Sequence, residues 1–269
     1  MHKNAVPFLL FVRLFKITLE KLLKICYNKN TFWGQGITCY EKLLIGRRTR
    51  FISVKIFMET RVTQITASGN SRIKFDVIPG HFVTNHSHVS SYIDLNGIKN
   101  SCVMAKEAAK ELADNFYNSV PVDTIICIEG TRMIGAFIAE ELTSGRRGLN
   151  AGTEMNVITP EFDMNNRILL RDNLQKVVRD KNILLLVSSV SSGKSVQQAA
   201  ECISYYGGRL VAAAAVFSAV SEVNGMKINS IFTSDDMPGY TSHRPSECPM
   251  CAAGAKIDAM VNTFGYSKL

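Results

Sequence analysis

A run of small and basic residues in the second half of the chain has the composition of a phosphate-binding loop. Residues 188–195 read SSVSSGKS, with five serines, one glycine and one lysine. Serine hydroxyls donate hydrogen bonds to phosphate oxygens, lysine adds a positive charge, and glycine lets the backbone approach the ligand closely. A helix that starts at such a run adds its unpaired N–H groups and the positive end of its dipole. We predict that a phosphate group is held by Ser191, Ser192, Gly193, Lys194 and Ser195.

The alternative is an ordinary helix start at which one serine serves as the N-cap. One serine is enough for a cap, whereas this run offers five hydroxyl groups beside Gly193 and Lys194. A cap therefore explains one residue and a phosphate ligand explains the whole run, so we favour the phosphate.

The segments around this run alternate between apolar stretches and helical patterns. A continuous apolar stretch, NILLLV (182–187), precedes the run, and a helical pattern at 194–206 follows it and ends at two glycines. These patterns predict a buried strand and a helix with a glycine stop. Strands are also predicted at 123–128, 154–159, 209–220 and 228–233, and helices at 102–117 and 131–143. Such alternation predicts an α/β fold with a parallel sheet flanked by helices, and with ligands bound beyond the carboxyl ends of the strands.

The flanking parts of this region have less regular patterns. Residues 60–78 predict one or two strands, and residues 79–95 predict a loop-rich segment with a short strand at its end. The C-terminal stretch 253–269 predicts a helix that is broken at Gly265.

Positive charge is concentrated in the N-terminal part. Residues 1–57 hold 11 Lys and Arg but two acids, so they carry +9, and the other 212 residues carry −1 of the net charge of +8. A nearly neutral remainder has no net field for phosphate backbones, which argues against nucleic acid as a partner. Five charged residues interrupt the apolar stretch 8–25, which predicts an amphipathic surface helix and no membrane span. We predict that residues 1–57 are an extension outside a folded domain of residues 58–269, with Met58 as the native start; the alternative is a helix packed on the domain.

The seven cysteines are an odd number, and several lie within apolar stretches such as TIICI. Both features favour a reduced protein inside the cell, and we expect a cytoplasmic location.

Two families use a loop of this kind. A P-loop nucleotide hydrolase requires G-x-x-x-x-G-K-[ST]; Gly193-Lys194-Ser195 match its end, but Ser188 stands at the first glycine. The better match is the type I phosphoribosyltransferase family, which residues 183–195, ILLLVSSVSSGKS, resemble in their strand, small-residue loop and helix start. The segment GGRLVAAAAVFS (207–218) resembles the next strand of that family.

The resemblance extends over about residues 58–269. The segment DTIICIEGTRMIGAFIAEEL (123–142) is similar to the strand, diphosphate-contacting loop and helix of the family. Residues 74–94, with PGHF and SSYID, are similar to the base-covering part of orotate phosphoribosyltransferases. The resemblance implies the type I phosphoribosyltransferase fold with a small N-terminal hood.

The resemblance also implies an activity, the transfer of a 5-phosphoribosyl group from phosphoribosyl diphosphate to a nucleobase. Orotate is the first candidate base, and Mg²⁺ is expected on the diphosphate. The ribose is expected at Ser188 and Ser189. The expected diphosphate contacts are Glu129, Gly130, Thr131 and Arg132, and the expected base contacts are His81, Phe82 and His86.

The candidate for the family's mobile loop is TPEFDMNNRILLRDN (159–173), which contains Arg167 and Arg171. Arg171 is the one candidate for a catalytic residue.

The chain departs from the family at one important pair. The family has two acidic residues against the ribose hydroxyls, where this chain has Ser188 and Ser189. Serine can form a hydrogen bond to a hydroxyl but brings no charge to stabilise an oxocarbenium ion. Three functions therefore remain open: a phosphoribosyltransferase, a non-catalytic regulatory protein that binds phosphoribosyl diphosphate or a nucleotide, and a P-loop nucleotide hydrolase. A homodimer is also left open.

Two groups of potential metal ligands lie far apart in the sequence. The histidines His81, His86 and His88 are close together, but a metal needs a third or fourth ligand that their surroundings do not supply. Cys248 and Cys251 resemble half a zinc knuckle, and zinc, a redox pair and two packed thiols are all open for them. We expect base recognition or loop hydrogen bonds from the histidines and assign no metal site.

Overall fold

The computed structural model describes residues 38–45, 48–55, 59–144, 148–163 and 167–268. The chain divides into two compact units, Met1–Thr60 and Arg61–Leu269. In the first unit, β1 (Thr38–Ile45) pairs antiparallel with β2 (Arg48–Lys55). The amphipathic helix predicted at 8–25 lies outside the described residues. The assignment of residues 1–57 to an extension stays a prediction.

The second unit carries the elements that the sequence predicts for an α/β domain. Its strands are β3 (Thr63–Thr66), β4 (Lys74–Val83), β5 (His88–Asp94), β6 (Thr124–Cys127), β7 (Asn156–Ile158), β8 (Glu161–Phe162), β9 (Ile168–Leu169), β10 (Asn182–Val190), β11 (Arg209–Ser218), β12 (Glu222–Val223), β13 (Met226–Thr233), β14 (Ser242–His243), β15 (Ala259–Asn262) and β16 (Gly265–Lys268). Its helices are α1 (Asn96–Asn100), α2 (Cys102–Ala113), α3 (Arg132–Ser144), α4 (Asp172–Gln175), α5 (Lys194–Tyr205) and α6 (Pro249–Ala252).

The main sheet has the strand order β12-β13-β11-β10-β6-β7. All of its pairs are parallel except that between β12 and β13. The predicted α/β fold with a parallel sheet flanked by helices is thereby confirmed.

Two apolar layers cover the faces of this sheet, because side chains alternate between the faces along each strand. In β10, Leu184 and Leu186 pack with α2 and α3 on one face. The intervening Ile183 and Leu185 pack with α5 on the other face. All four side chains are fully buried, which explains why this strand is a continuous apolar stretch in the sequence.

A second sheet combines strands from both ends of the unit. Its order is β14-β5-β4-β15-β16, with β3 paired to β4. The short strand predicted at the end of residues 79–95 is confirmed by β5. The loop predicted before it is wrong over much of its length, because β4 continues to Val83 and β5 begins at His88. The predicted C-terminal helix is also wrong. Ala259 and Met260 pair with β4, and the chain then turns back at Gly265 into β16, so backbone pairing prevails over the helical pattern.

The helix α3 packs closely against β6 at Gly135. A Cβ at this position would overlap the Sγ of Cys127, a side chain that is fully buried. Burial raises the pKa of Cys127 to about 12, so the thiol is neutral and packs as an apolar group.

We expect Gly135→Ala to lower the free energy of unfolding. Overpacking costs about 1–3 kcal/mol, whereas alanine regains about 1 kcal/mol of helix propensity. Urea unfolding would measure the change, and the double variant Gly135→Ala/Cys127→Ala should restore most of the loss. Gly69→Ala is the control, because its Cβ would make ordinary contact, 3.5 Å from Glu111. A Gly135→Ala protein as stable as the parent would contradict this packing.

Within the described part of the chain, no helix is long and apolar enough to cross a bilayer.

Candidate functional site

The carboxyl edge of the main sheet has a topological switch point between β6 and β10. These strands are neighbours, but β6 leads into α3 on one face and β10 leads into α5 on the other. Ligands of open α/β sheets bind at such a switch point, because the two outgoing chains diverge there and leave a gap. The loop after β6 begins with Ile128 and Glu129, and β10 ends with Ser188, Ser189 and Val190.

A carboxylate lies at this switch point. One oxygen of Glu129, Oε2, accepts hydrogen bonds from the Ser188 N–H at 3.1 Å, the Ser188 hydroxyl at 2.7 Å and the Ser189 N–H at 3.2 Å. The other oxygen, Oε1, takes part in none of these three bonds. Three donors hold the acid at the end of β10. Glu129, from the loop after the neighbouring strand β6, therefore places a negative charge beside Ser188 and Ser189.

The backbone of Glu129 has a φ of 58°, in the left-handed region that a residue other than glycine rarely adopts. Such a conformation costs on the order of 1–3 kcal/mol and is concentrated at functional sites. The next residue, Gly130, has a φ of 79° and is exposed. The left-handed pair turns the chain sharply after β6 and directs the Glu129 side chain across to β10.

The predicted phosphate loop is shorter than the sequence indicates. Ser188 and Ser189 belong to β10, with Ser189 opposite Phe217 of β11, so three residues connect Val190 to α5. The helix is capped by Gly193 at a φ of 79°, and no side chain bonds to the cap. The interpretation of the run as a plain serine cap is therefore wrong. The cap leaves the hydroxyls of the loop serines and the first N–H groups of α5 free for an anion.

The two remaining residues predicted at the diphosphate have different positions. Thr131 is fully buried, and its hydroxyl shares one proton between the carbonyls of Ile128 at 2.8 Å and Leu186 at 3.1 Å. It therefore ties the loop to β10. Arg132 is exposed at the first position of α3, where its side chain is accessible to a ligand.

A buried lysine, Lys99, contacts the loop after β6 and could not be recognised from the sequence. The Nζ of Lys99, on α1, donates to the carbonyl of Glu129 at 3.3 Å and to that of Thr263, between β15 and β16, at 2.9 Å. Burial lowers the pKa of Lys99, and the negative charges of Glu129 and Asp94 partly offset this effect. The segment NGIKN carries no motif that marks this lysine, because the fold alone brings α1 to the loop.

The candidate catalytic arginine lies at a different place. Arg171 pairs with Glu161 at 2.7 Å, and both side chains are more than half exposed. Its neighbour Leu170 contacts the Tyr206 hydroxyl at the C-terminal end of α5, whereas the phosphate loop precedes the N-terminal end. A 12-residue helix is about 18 Å long, so the two ends are well separated. The structure does not bring Arg171 to the loop, and its catalytic role stays a prediction. Arg167 pairs with Asp163 in the same hairpin.

The three candidate base-binding residues lie in β4 of the second sheet or in the turn between β4 and β5. Phe82 packs in a small core with Ile78, Val89, Tyr92 and Ala259. The ring of His81 is buried and faces cysteines. His86, in the turn after β4, has a buried Nε2 without a hydrogen-bond partner among the described residues, so of the three it alone keeps an unused polar atom. Base binding by these residues stays a prediction.

No protein-family model and no curated protein sequence matches the chain. Among solved structures, the chain is similar to a phosphoribosyltransferase from Corynebacterium diphtheriae at 18% identity, over 60% of this chain and 90% of that one, with a TM-score of 0.42. It is similar to orotate phosphoribosyltransferase from Aeropyrum pernix at 14% identity, over 59% and 88% of the two chains, with a TM-score of 0.43. It is also similar to adenine phosphoribosyltransferase from Trypanosoma brucei at 12% identity, over 65% and 80%, with a TM-score of 0.42. At this level of similarity, function has to be inferred from the chain's own residues.

Proposed function

We propose that this chain transfers a 5-phosphoribosyl group from phosphoribosyl diphosphate to a nucleobase, with orotate as the first candidate. The observation that carries the proposal is the Glu129 carboxylate, which three donors of Ser188 and Ser189 hold beside the phosphate loop. The loop before α5 can hold a phosphate, and Glu129 beside it offers a negative charge. A phosphorylated sugar that develops positive charge as its diphosphate leaves requires both features.

Each group at the switch point has a role in this reaction. Ser191, Ser192 and Ser195 with the α5 N-terminus hold the 5-phosphate, and the Lys194 ammonium adds charge. The bond from the ribose C1 to the diphosphate oxygen breaks, a bond from C1 to a nitrogen of the base forms, and the proton of that nitrogen passes to solvent. Glu129 stabilises the positive charge that develops on the ribose between these events, and the protein acts by placement and by charge.

The diphosphate leaves toward the loop of Gly130 and Arg132. Lys99 places its ammonium at the same loop, where positive charge favours the leaving anion. The carboxylate of Glu129 and the serine hydroxyls offer oxygen ligands, which Mg²⁺ prefers. When bound with the diphosphate, Mg²⁺ would neutralise part of its charge.

The geometry disfavours a P-loop hydrolase. A P-loop wraps the phosphates with an extended glycine-rich loop between its strand and its helix. Here β10 runs through Val190 in register with Ser218 of β11, and three residues remain before α5. A regulatory protein that binds phosphoribosyl diphosphate without turnover is the alternative that the experiments must separate.

We expect Lys194→Ala to weaken the binding of phosphoribosyl diphosphate about tenfold, since a hydrogen bond to a charged group contributes about 1.5–3 kcal/mol and this exposed lysine is partly screened. Calorimetry with the full chain and Mg²⁺ would measure the affinity. Lys176→Ala is the matched control, because Lys176 is exposed and follows α4 at a distance from the loop. Equal affinities for the two variants would remove Lys194 from the site. Tight binding of ATP or GTP in place of phosphoribosyl diphosphate would contradict the proposed function.

A further inference from the structure

Two histidines and two cysteines from distant parts of the chain converge at the second sheet. We call His81, His88, Cys248 and Cys251 the Cys–His cluster. One ligand atom from each side chain lies within 4.8 Å of all the others. His81, His88 and Cys248 are buried, and Cys251 is exposed. The two pairs lie far apart in the sequence, and the fold supplies the missing ligands of each pair from the other.

Four of the six distances between ligand atoms in the Cys–His cluster are close to those of a tetrahedral metal site, and all six are within 4.8 Å. The Nε2 of His81 lies 3.6 Å from the Sγ of Cys248, 3.6 Å from the Sγ of Cys251 and 3.0 Å from the Nδ1 of His88. The Nδ1 of His88 lies 3.2 Å from the Sγ of Cys251. Tetrahedral zinc, with bonds of about 2.1 Å to nitrogen and about 2.3 Å to sulfur, separates its ligand atoms by about 3.3–3.8 Å. The four distances above therefore lie within a few tenths of an ångström of those in a zinc site.

A backbone carbonyl orients the His81 ring for binding a metal. Its Nδ1 lies 3.1 Å from the carbonyl of Ala255, which can only accept a hydrogen bond. The proton of a neutral ring is therefore on Nδ1, and the lone pair of Nε2 points at the cysteines. A backbone carbonyl behind a histidine is the usual way in which proteins orient a metal-bound imidazole.

The Cys–His cluster joins parts of the chain that are distant in sequence. His81 belongs to β4 and His88 to β5, whereas the two cysteines flank the start of α6. The C-terminal segment is also held here by Asp258, which accepts from the His81 N–H at 2.9 Å and donates its own N–H to the His81 carbonyl at 2.8 Å. The apolar cluster at this end of the sheet has five buried residues, and small cores commonly require a metal or a disulfide for stability.

We propose that the Cys–His cluster binds one structural zinc ion. Both thiols lose their protons to solvent when the ion binds, and both imidazoles bind as neutral rings. Zinc fits better than other metals, because two thiolates and two imidazoles in a closed tetrahedron are a common structural zinc set. The ion fastens α6 and the strands after it to β4 and β5. It thereby steadies the Thr263 carbonyl that accepts from Lys99.

The test is the metal content of the purified full chain. Elemental analysis of protein produced with zinc in the medium should find about one zinc per chain. Cys251→Ser and His88→Gln should each lower the zinc content at least about tenfold, as loss of a ligand from a closed site does. Two controls should keep the zinc: Cys102→Ser, an exposed cysteine on α2, and His243→Gln, which lies opposite His88 in β14.

A second measurement does not depend on whether the variants fold. Cobalt added to the chelator-treated parent protein should give the intense visible bands of a tetrahedral site and a thiolate charge-transfer band in the near ultraviolet. Zinc should then displace the cobalt. A protein without bound metal that gives no tetrahedral cobalt spectrum would overturn the site, as would a stable Cys248–Cys251 disulfide in its place. A different metal at equal stoichiometry would overturn the assignment to zinc.

Discussion

Replacing Glu129 by glutamine is expected to lower kcat/KM for phosphoribosyl transfer by about 10²–10³-fold, the usual loss when a group that stabilises transition-state charge is removed. Glutamine has the same shape, and its single oxygen can take the place of Oε2, which accepts all three bonds from Ser188 and Ser189. The fold contacts are thus kept while the charge is lost. The loss should appear mainly in kcat, because the charge matters most when the ribose becomes cationic.

The matched control is Glu140→Gln, at an exposed position on α3 whose ion pair with Lys106 is long, at 3.9 Å. Steady-state kinetics and thermal unfolding of both variants separate catalysis from stability. We expect similar Tm values for both and a kinetic defect in Glu129→Gln alone. A Glu129→Gln enzyme with full activity would show that the carboxylate does not replace the family's acidic pair.

Gly193→Ala is expected to weaken the binding of phosphoribosyl diphosphate by about tenfold or more. The φ of 79° costs an alanine about 1–2 kcal/mol, and about 1.4 kcal/mol corresponds to a factor of ten. In addition, the new Cβ would lie 2.5 Å from the Cγ2 of Val223 in β12. The clash would displace the loop that holds the 5-phosphate.

Calorimetry of two further variants tests whether this loss arises at the loop. Gly225→Ala has the same φ of 79° and nothing within 4 Å of its Cβ, so it places the same backbone strain outside the loop, in the turn between β12 and β13. We expect it to bind normally. The double variant Gly193→Ala/Val223→Ala relieves the clash and should recover part of the affinity. Normal binding by Gly193→Ala itself would place the phosphate elsewhere.

The parallel sheet could be predicted from the sequence because its strands are buried on both faces. Such strands are continuous apolar stretches, as in NILLLV. The helix α5, between β10 and β11, ends at Tyr205, and Gly207 with a φ of 80° follows it as a stop signal. The second sheet could not be predicted in the same way. Its strands β4 and β15 pair across more than 170 residues, as between Phe82 and Ala259, and a local pattern carries no information about such a partner.

In the candidate site too, the local features could be predicted from the sequence and the contacts between distant residues could not. The loop Ser191–Ser195 is local, so its composition was sufficient to find it. The position of Glu129 against Ser188 depends on the neighbouring placement of β6 and β10, and the approach of Lys99 depends on α1. The Cys–His cluster likewise requires β4, β5 and α6 to come together. Each of these contacts joins residues at least 30 positions apart, except those between His81 and His88 and between Cys248 and Cys251.

The measurement that most directly tests the central claim is the release of diphosphate by the purified full chain, with phosphoribosyl diphosphate, Mg²⁺ and one nucleobase at a time. Orotate, uracil, adenine, guanine and hypoxanthine form the panel, and mass spectrometry identifies the nucleotide product. We predict base-dependent release with one member of the panel, orotate first, and loss of that release in Glu129→Gln. Binding of phosphoribosyl diphosphate without release for any base would contradict a transferase and identify the chain as a binding protein.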